Sequence, residues 1–158
     1  MNTNTNPSLE MLTKDQKEML FFIYQSEKVA RDVYITLGNI HKYENTFALM
    51  QFSGQRHMDC ARELCDIYGV KTSKIEEVRV GKFESVVLQT VYDACIEKGR
   101  KSIYDALEVA EFIKMNEIKD LELASVGMPC HIVSVYDNIK KRNLRQLDAF
   151  HAVLSRAA

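Results

Sequence analysis

The chain has no tryptophan, and only two prolines and six glycines occur among its 158 residues. Apart from Gly54, these glycines and prolines lie at the ends of predicted elements, and the scarcity of helix-breaking residues favours an all-helical protein. The longest apolar run, Met19 to Tyr24, is far too short to span a bilayer. No signal peptide is visible, so we expect a cytoplasmic protein without membrane contact.

The chain has no large excess of either charge, since it contains 21 basic and 22 acidic residues and its net charge is −1. Proteins that bind nucleic acid through its phosphates carry a basic surface, so we expect no nucleic-acid partner. The four cysteines form no C-x-x-C motif, and without a secretory signal we expect reduced thiols. They are Cys60, Cys65, Cys95 and Cys130.

Helical periodicity predicts one domain over residues 13–158, after a disordered or extended tail at 1–12. The capping box T-x-x-Q at 13–16 begins the first helix. Residues 70–83 are the least regular part and could hold short β-like pieces or a long crossover. The expected helices, four long and two short, span about 13–36, 46–68, 84–98, 102–115, 117–125 and 129–155.

Two ionisable residues interrupt the apolar faces of the first two helices, where charged side chains are unexpected. Glu27 lies within one stripe and His57 within the next. A carboxylate from one helix and a Glu-x-x-His from another form half of a ferritin-like di-iron site. Here Gly54 stands in place of that second glutamate. The two stripes are Leu20, Ile23, Tyr24, Ala30, Tyr34, Leu37 and Met50, Gly54, Ala61, Leu64, Tyr68.

The remaining helices offer few further metal ligands. Glu111 is the best acidic candidate on the fourth helix, and Lys114 follows it on the same face. The last helix has Asn143 and Gln146 at the i, i+3 positions where an acid and a histidine would be needed. Asp148 and His151 lie nearby on other faces. The sequence therefore offers Glu27, His57 and Glu111 as metal ligands.

Four runs resemble a prokaryotic ferritin-like family called domain of unknown function 2202, and the resemblance covers nearly all of the chain beyond residue 12. It implies an all-α, ferritin-like four-helix bundle with additional short helices. The runs are E-K-V-A-R-D-V-Y (27–34), S-G-Q-R-H-M-D (53–59), D-A-L-E-V-A-E-F-I-K-M-N-E-I-K-D-L (105–121) and R-Q-L-D-A-F (145–150).

The resemblance also implies which ligand positions are kept. Glu27 matches the first-helix ligand, and His57 matches the second-helix histidine. Gly54 stands where the family has a glutamate, Lys114 and Met115 stand where it has Glu-Glu, and Gln146 stands where it has a histidine. The resemblance therefore implies the fold, but it implies the metal only for other members.

A buried carboxylate needs a countercharge or hydrogen bonds. We expect Lys114 to balance the negative charge of Glu27 in place of the metal. Arg142 and Gln146, on predicted inward faces, are further candidates for this role. This favours a non-catalytic structural or interaction protein without a cofactor, acting as a homodimer or with another protein. The alternative is a di-iron or di-manganese oxidoreductase or iron-handling protein whose rearranged site uses Glu27, His57 and Glu111.

Overall fold

The computed structural model describes residues 9–42 and 44–157, and this part of the chain folds into five α-helices without a strand. The prediction of an all-α helical bundle is confirmed. Helices α1, α2, α4 and α5 are long, whereas α3 has only 14 residues. The helices are α1 (Lys14–Ile40), α2 (Thr46–Ile67), α3 (Val86–Gly99), α4 (Ile103–Ser125) and α5 (Cys130–Ala157).

The prediction of separate helices at 102–115 and 117–125 is wrong, because α4 runs without a break from Ile103 to Ser125. No proline or glycine lies near residue 116, and the side-chain amide of Asn116 donates to the Phe112 carbonyl one turn earlier. This continuity places Lys114 and Glu117 one turn apart on the same helix.

The ends of α1 combine a confirmed prediction with a correction. At its beginning, the Thr13 hydroxyl accepts from the Gln16 amide and the Gln16 side chain accepts from the Thr13 amide, as a capping box requires. At its other end the helix continues past the predicted limit at Thr36 to Ile40. Gly38 stays helical there, close to Phe47 at the beginning of α2.

Packing occurs mainly within two helix pairs, α1 with α2 and α4 with α5, and α3 contacts both α1 and α4. The apolar core has two clusters along the bundle. One contains Tyr34, Phe47 and Ile113, and the other contains Tyr24 and Ile132. The buried polar residues Glu27, His57, Lys114, Glu117 and Asn143 occupy intermediate positions along these helices.

Residues 1–8, Tyr43 and Ala158 lie outside the described residues, so the prediction of a disordered or extended tail remains a prediction for residues 1–8. Residues 9–13 precede α1 without regular structure, and Leu12 packs into the core. Residues 70–85 form a crossover of turns rather than strands. Within the described ranges, no helix combines the length and apolarity needed to cross a membrane.

Candidate functional site

The predicted pair Glu27 and His57 meets inside the bundle, together with Glu117 of α4. One ligand atom of each residue lies within 4.8 Å of the others. The Nδ1 atom of His57 is 3.7 Å from Oε2 of Glu27. All three side chains are buried, since α1, α2 and α4 turn these positions away from solvent. The sequence thus predicted two of the three members of this cluster.

Lys114 brings a positive charge into the same cluster. Its side chain is fully buried, and its Nζ atom lies 2.9 Å from Oε2 of Glu117. It also donates a hydrogen bond of 3.0 Å to Oδ1 of Asn143 on α5. The ring of Tyr34 is 5.1 Å away, within the range of a cation–π interaction. The expected partner of Lys114 was Glu27, but its direct contacts are Glu117 and Asn143.

The carboxyl groups of Glu27 and Glu117 lie close together, since one oxygen of each lies within 4.8 Å of the other. Burial raises the pKa of Glu27 well above its usual range, and the nearby charge of Glu117 raises it further. The positive charge of Lys114 acts in the opposite direction. The cluster therefore favours a carboxyl–carboxylate pair over two charged carboxylates.

His57 is neutral near pH 7. Burial lowers its pKa to about 4, although the charge of Glu117 acts in the opposite direction. Its Nε2 atom lies 3.4 Å from the Ser53 hydroxyl, which accepts a hydrogen bond from the Gln146 amide. Gln146 therefore reaches the site through Ser53 and His57, without contributing charge.

Several buried polar atoms of the cluster lack a hydrogen-bond partner among the described residues. They include Oε2 of Glu27, Nδ1 of His57 and Oε1 of Glu117. The Oε2 atom of Glu117 has its ion pair with Lys114 but no well-directed hydrogen bond. Buried polar atoms are usually satisfied, so these atoms mark the place where the site could hold a ligand or an ion.

Glu111 does not belong to this cluster. Its Oε1 atom lies 2.9 Å from Nε2 of His151, which is half-exposed. Six residues separate Glu111 from Glu117, which is nearly two helical turns, so only one of them can lie level with Glu27. The prediction of Glu111 as a ligand stays a prediction. The residue of α4 that lies beside Glu27 and His57 is Glu117, which follows the helix break predicted after Met115.

The inward face of α5 is displaced from its predicted register. Asn143 is fully buried, whereas the neighbouring Arg142 is partly exposed and lines a surface groove with Arg56 and Arg145. No ion pair between Arg142 and Glu27 occurs among the described residues. The buried residues of α5 are Ile132, Tyr136, Ile139, Asn143 and Phe150, which follow spacings of three, four and seven.

A second buried charge cluster involves the other charged residues of the 27–34 run. Asp32 is completely buried and accepts from Lys28 Nζ at 2.7 Å, Arg31 Nη2 at 2.7 Å and the Gly81 amide at 2.9 Å. Lys28 also donates to the carbonyls of Arg79 and Lys82. These contacts fasten the crossover to α1, so this part of the run has a structural explanation.

Gly54 lies where α2 packs closely against Arg31 of α1. A Cβ atom at this position would lie 3.1 Å from Cα and 3.2 Å from Cβ of Arg31. Both are closer than side-chain carbons normally come, and the first belongs to the backbone, which cannot turn aside. The packing of α1 therefore explains a glycine in the middle of α2, despite its cost of about 1 kcal/mol relative to alanine.

The cysteines do not contribute to this site. All four are free thiols; Cys65 and Cys95 are buried, Cys60 is partly buried and Cys130 is exposed. Burial raises the pKa of the Cys65 thiol to about 12 and that of the Cys95 thiol to about 11. These two thiols are therefore protonated at neutral pH and poorly nucleophilic.

The fold and the cluster together define an all-α bundle protein with a polar site buried between its helices. The chain belongs to the uncharacterised protein domain family DUF2202, whose profile matches residues 16–157. It is 32% identical to the uncharacterised protein MJ0754 of Methanocaldococcus jannaschii over 145 residues, which cover 91% of this chain and 77% of the relative.

A solved structure agrees with this assignment. The crystal structure of hypothetical protein MJ0754 from Methanococcus jannaschii DSM 2661 matches with a TM-score of 0.88 at 32% identity. The match covers 94% of this chain and 84% of the other. The name of this relative assigns no activity, so the function of this chain is argued from its own residues.

Proposed function

We propose that this chain is a ferritin-like bundle protein in which a buried lysine replaces the metal, and that its role is structural or interactive rather than catalytic. The observation that carries this proposal is the position of Lys114. Its fully buried ammonium lies 2.9 Å from a carboxylate of the donor cluster. It stands where the family resemblance places a glutamate, so one substitution removes a ligand and adds a cation.

Charge balance supports this replacement. Burial favours the protonated form of Glu27, Lys114 carries one positive charge beside the carboxylate of Glu117, and His57 is neutral. The buried cluster is then neutral overall, as its removal from water requires. A divalent ion beside Lys114 would add two positive charges next to an existing one, which repulsion in a buried site disfavours.

The residues present do not fit a di-metal centre. Such a centre in ferritin-like proteins uses about six protein ligands, including a Glu-x-x-His from each of two helices. Here the buried donors among the described residues are Glu27, His57 and Glu117. The ligand positions of α2 and α5 hold Gly54 and Gln146, neither of which supplies a negative charge. The chain is therefore better suited to a structural role than to oxygen chemistry.

Metal analysis tests this proposal directly. Protein expressed in medium supplemented with iron and manganese should contain well under one metal ion per chain after gel filtration. Two irons per chain with an oxo-bridge absorption band would overturn the proposal. Lys114→Glu, which exchanges the cation for a ligand, should raise metal content. Lys114→Met, which removes the same cation without adding a ligand, is the matched control and should not.

A second candidate function is the binding of one iron or manganese ion by Glu27, His57 and Glu117. The observation that favours it is the set of unpartnered donor atoms on these three side chains. Carboxylate oxygens and an imidazole suit either ion. One equivalent of metal in the wild type, lost in Glu117→Gln and retained in Glu111→Gln, would favour this candidate over the first.

The interaction role also needs a partner, and we propose a second copy of the chain or another protein. Light scattering on purified protein at micromolar concentrations distinguishes these two possibilities. A stable dimer mass supports the first, and a monomer mass leaves the role to a different protein. Neither outcome depends on the metal content, so the two parts of the proposal are tested separately.

A further inference from the structure

A groove of about 410 Å³ opens between α2 and α5, and we call it the arginine groove. Arg56 of α2 lines it together with Arg142 and Arg145 of α5, and no aspartate or glutamate does so among the described residues. Arginine side chains stay protonated in proteins, so the groove carries three positive charges in a chain whose net charge is −1. The other lining residues are uncharged, namely Met50, Phe52, Ser53, Gln146 and Ala149.

These three guanidinium groups form no ion pair with a carboxylate of the described residues. Asp59, one turn from Arg56, pairs with Arg62 instead, and Asp148, one turn from Arg145, makes no ion pair with a described residue. Three like charges that line one groove repel one another, and an anion bound between them would relieve this repulsion. Other arginines of the chain do have carboxylate partners, in the pairs Arg31–Asp32, Arg62–Glu77 and Arg79–Glu76.

The helices that carry the arginines are joined within the groove. Gln146 Nε2 of α5 donates a hydrogen bond of 2.8 Å to Ser53 Oγ of α2, and both residues line the groove. Arg142 and Arg145 are three residues apart, so they extend from the same side of α5. Arg56 extends from α2 on the other side of this hydrogen bond's helix pair. The three guanidinium groups therefore reach one place from two helices whose spacing is fixed.

Apolar surface borders these charges. Phe52 is 69% exposed, Ala149 is also exposed, and Met50 is buried beside them. An exposed phenylalanine ring offers a flat surface against which another ring can pack. The volume of the groove falls within the range of about 300–1,000 Å³ that is typical of small-molecule pockets. The groove therefore suits a ligand with both an anionic and an apolar part.

We infer that the arginine groove binds a small phosphate monoester whose organic part is an aromatic ring. The three arginines hold the phosphoryl group, and Phe52 packs against the ring. A phosphoryl group carries about two negative charges and three terminal oxygens at neutral pH, and guanidinium groups bind it through paired N–H donors. A carboxylate carries one charge and two oxygens, so it balances less of the positive charge of the groove.

This inference goes beyond the proposed role of Lys114 and does not depend on the metal content, since none of the three arginines belongs to the buried cluster. A second groove, between α1 and the crossover, provides an internal comparison. Arg79 and Lys82 are among its cations, but Glu76 and Glu84 line it too, and Arg79 pairs with Glu76. Because this groove contains both signs of charge, it should not favour a dianion.

The ligand test separates the contribution of the phosphoryl group from that of the ring. Phenyl phosphate, phenylacetate and inorganic phosphate are titrated into the full chain at low ionic strength and followed by calorimetry and protein-observed NMR. A pH of about 8 keeps the ester dianionic, since its second pKa lies near 6. Phenyl phosphate should bind at least tenfold more tightly than either of the others, which corresponds to about 1.4 kcal/mol. Equal binding of phenylacetate or inorganic phosphate, or no binding of phenyl phosphate at millimolar concentration, would overturn the inference.

Matched variants at exposed positions locate the binding site. Arg145→Gln should weaken the binding of phenyl phosphate about tenfold. Its control is Arg100→Gln, which changes an exposed arginine outside the groove, at the end of α3, and should have no effect. Phe52→Ala should weaken binding about fivefold, whereas Phe112→Ala, at a ring that is 53% exposed on α4, should leave it unchanged. Binding that survives both Arg145→Gln and Phe52→Ala would place the ester elsewhere and contradict the inference.

The outcome is distinguishable from that of the metal analysis. Because a bound metal ion could itself attract phosphate, the titrations use protein that has been treated with a chelator and then separated from it by gel filtration. Binding of phenyl phosphate to this metal-free protein supports the inference even if the untreated protein carries metal. Failure of phenyl phosphate to bind to metal-free, folded protein overturns the inference and leaves the proposal about Lys114 standing.

Discussion

Lys114 Nζ and Glu117 Oε2 lie 2.9 Å apart, one turn from each other on α4, and both side chains are almost completely excluded from water. An ion pair of this kind is weak evidence for stability, because removing two charges from water offsets much of their attraction. The pair does make the two residues energetically dependent on each other, since the loss of either partner leaves the other charge buried and unbalanced.

The first prediction is that Lys114→Met destabilises the protein by about 3 kcal/mol at neutral pH, because it leaves Glu117 without its cation. Urea denaturation measures the loss. The double variant Lys114→Met, Glu117→Gln should recover much of the stability, since neither charge then remains. Glu111→Gln, which breaks a partly exposed pair with His151, is the control and should cost less than about 1 kcal/mol. A single variant as stable as the wild type would contradict this prediction.

The second prediction concerns Asp32, which joins α1 to the crossover. Asp32→Asn should cost about 3–5 kcal/mol, because it leaves Lys28 and Arg31 buried without their carboxylate. Hydrogen exchange at the Gly81 amide should accelerate, and proteolysis within 70–85 should increase. Asp59→Asn, at an ion pair on the surface, should change neither measurement. Unaltered protection of the crossover in Asp32→Asn would show that other contacts hold it.

The third prediction is that Gly54→Ala destabilises the protein by about 1–3 kcal/mol, because α1 and α2 must separate to admit the new methyl group. The higher helix propensity of alanine, worth about 1 kcal/mol, acts against this effect. Gln51→Ala, on the exposed face of α2, should stay within about 0.5 kcal/mol of the wild type. A stabilising Gly54→Ala would show that the helix pair has room for a side chain.

The fourth prediction concerns pH and His57. Since burial lowers the pKa of His57 from 6.5 to about 4, the unfolded chain binds a proton more readily than the folded protein between these values. The contribution of His57 to the free energy of unfolding is fully present above pH 6.5 and is lost as the pH falls towards 4. The total loss is about 3 kcal/mol. Denaturation curves with and without His57→Gln isolate this contribution. An NMR titration of His57 with a midpoint near 6.5 would refute it.

The fifth prediction concerns Glu27, for which the expected pH dependence of stability is opposite to that of His57. Burial raises its pKa, so the folded protein retains a proton that the unfolded chain releases. The contribution of Glu27 is favourable below about pH 4.5 and is lost as the pH rises towards its folded pKa. Glu27→Gln, which resembles the protonated acid, should remove this slope and match or exceed wild-type stability at pH 7. Glu63→Gln, at an exposed position, is the control. A large loss in Glu27→Gln would favour a metal-bound carboxylate.

Periodicity alone identified most of the buried face. The stripes of α1 and α2 are buried as predicted, with Glu27 and His57 among their apolar neighbours, and Lys114 faces inward on α4. These features depend on spacings within one helix, which repeat every 3.6 residues and can be counted along the chain. The capping box at Thr13 could be predicted for the same reason, because it depends on residues only three positions apart.

The predictions of inward-facing residues were wrong where the sequence did not show the end of a helix or which of its faces is buried. A break expected after Met115 removed Glu117 from consideration, and a shift of one residue on α5 favoured Arg142 over Asn143. One residue changes the direction of a side chain by about 100° on a helix. Small errors of register therefore exchange an inward residue for one at the surface.

The sequence by itself determined the helices, their apolar faces and the presence of a carboxylate, a histidine and a lysine in the interior. Only the tertiary structure decided that Lys114 pairs with Glu117, that Glu111 pairs with His151, and that Gly54 lies against Arg31. The physical reason is that contacts between helices depend on their separation and on the offset along their axes. Those quantities result from the packing of the whole core rather than from any one segment.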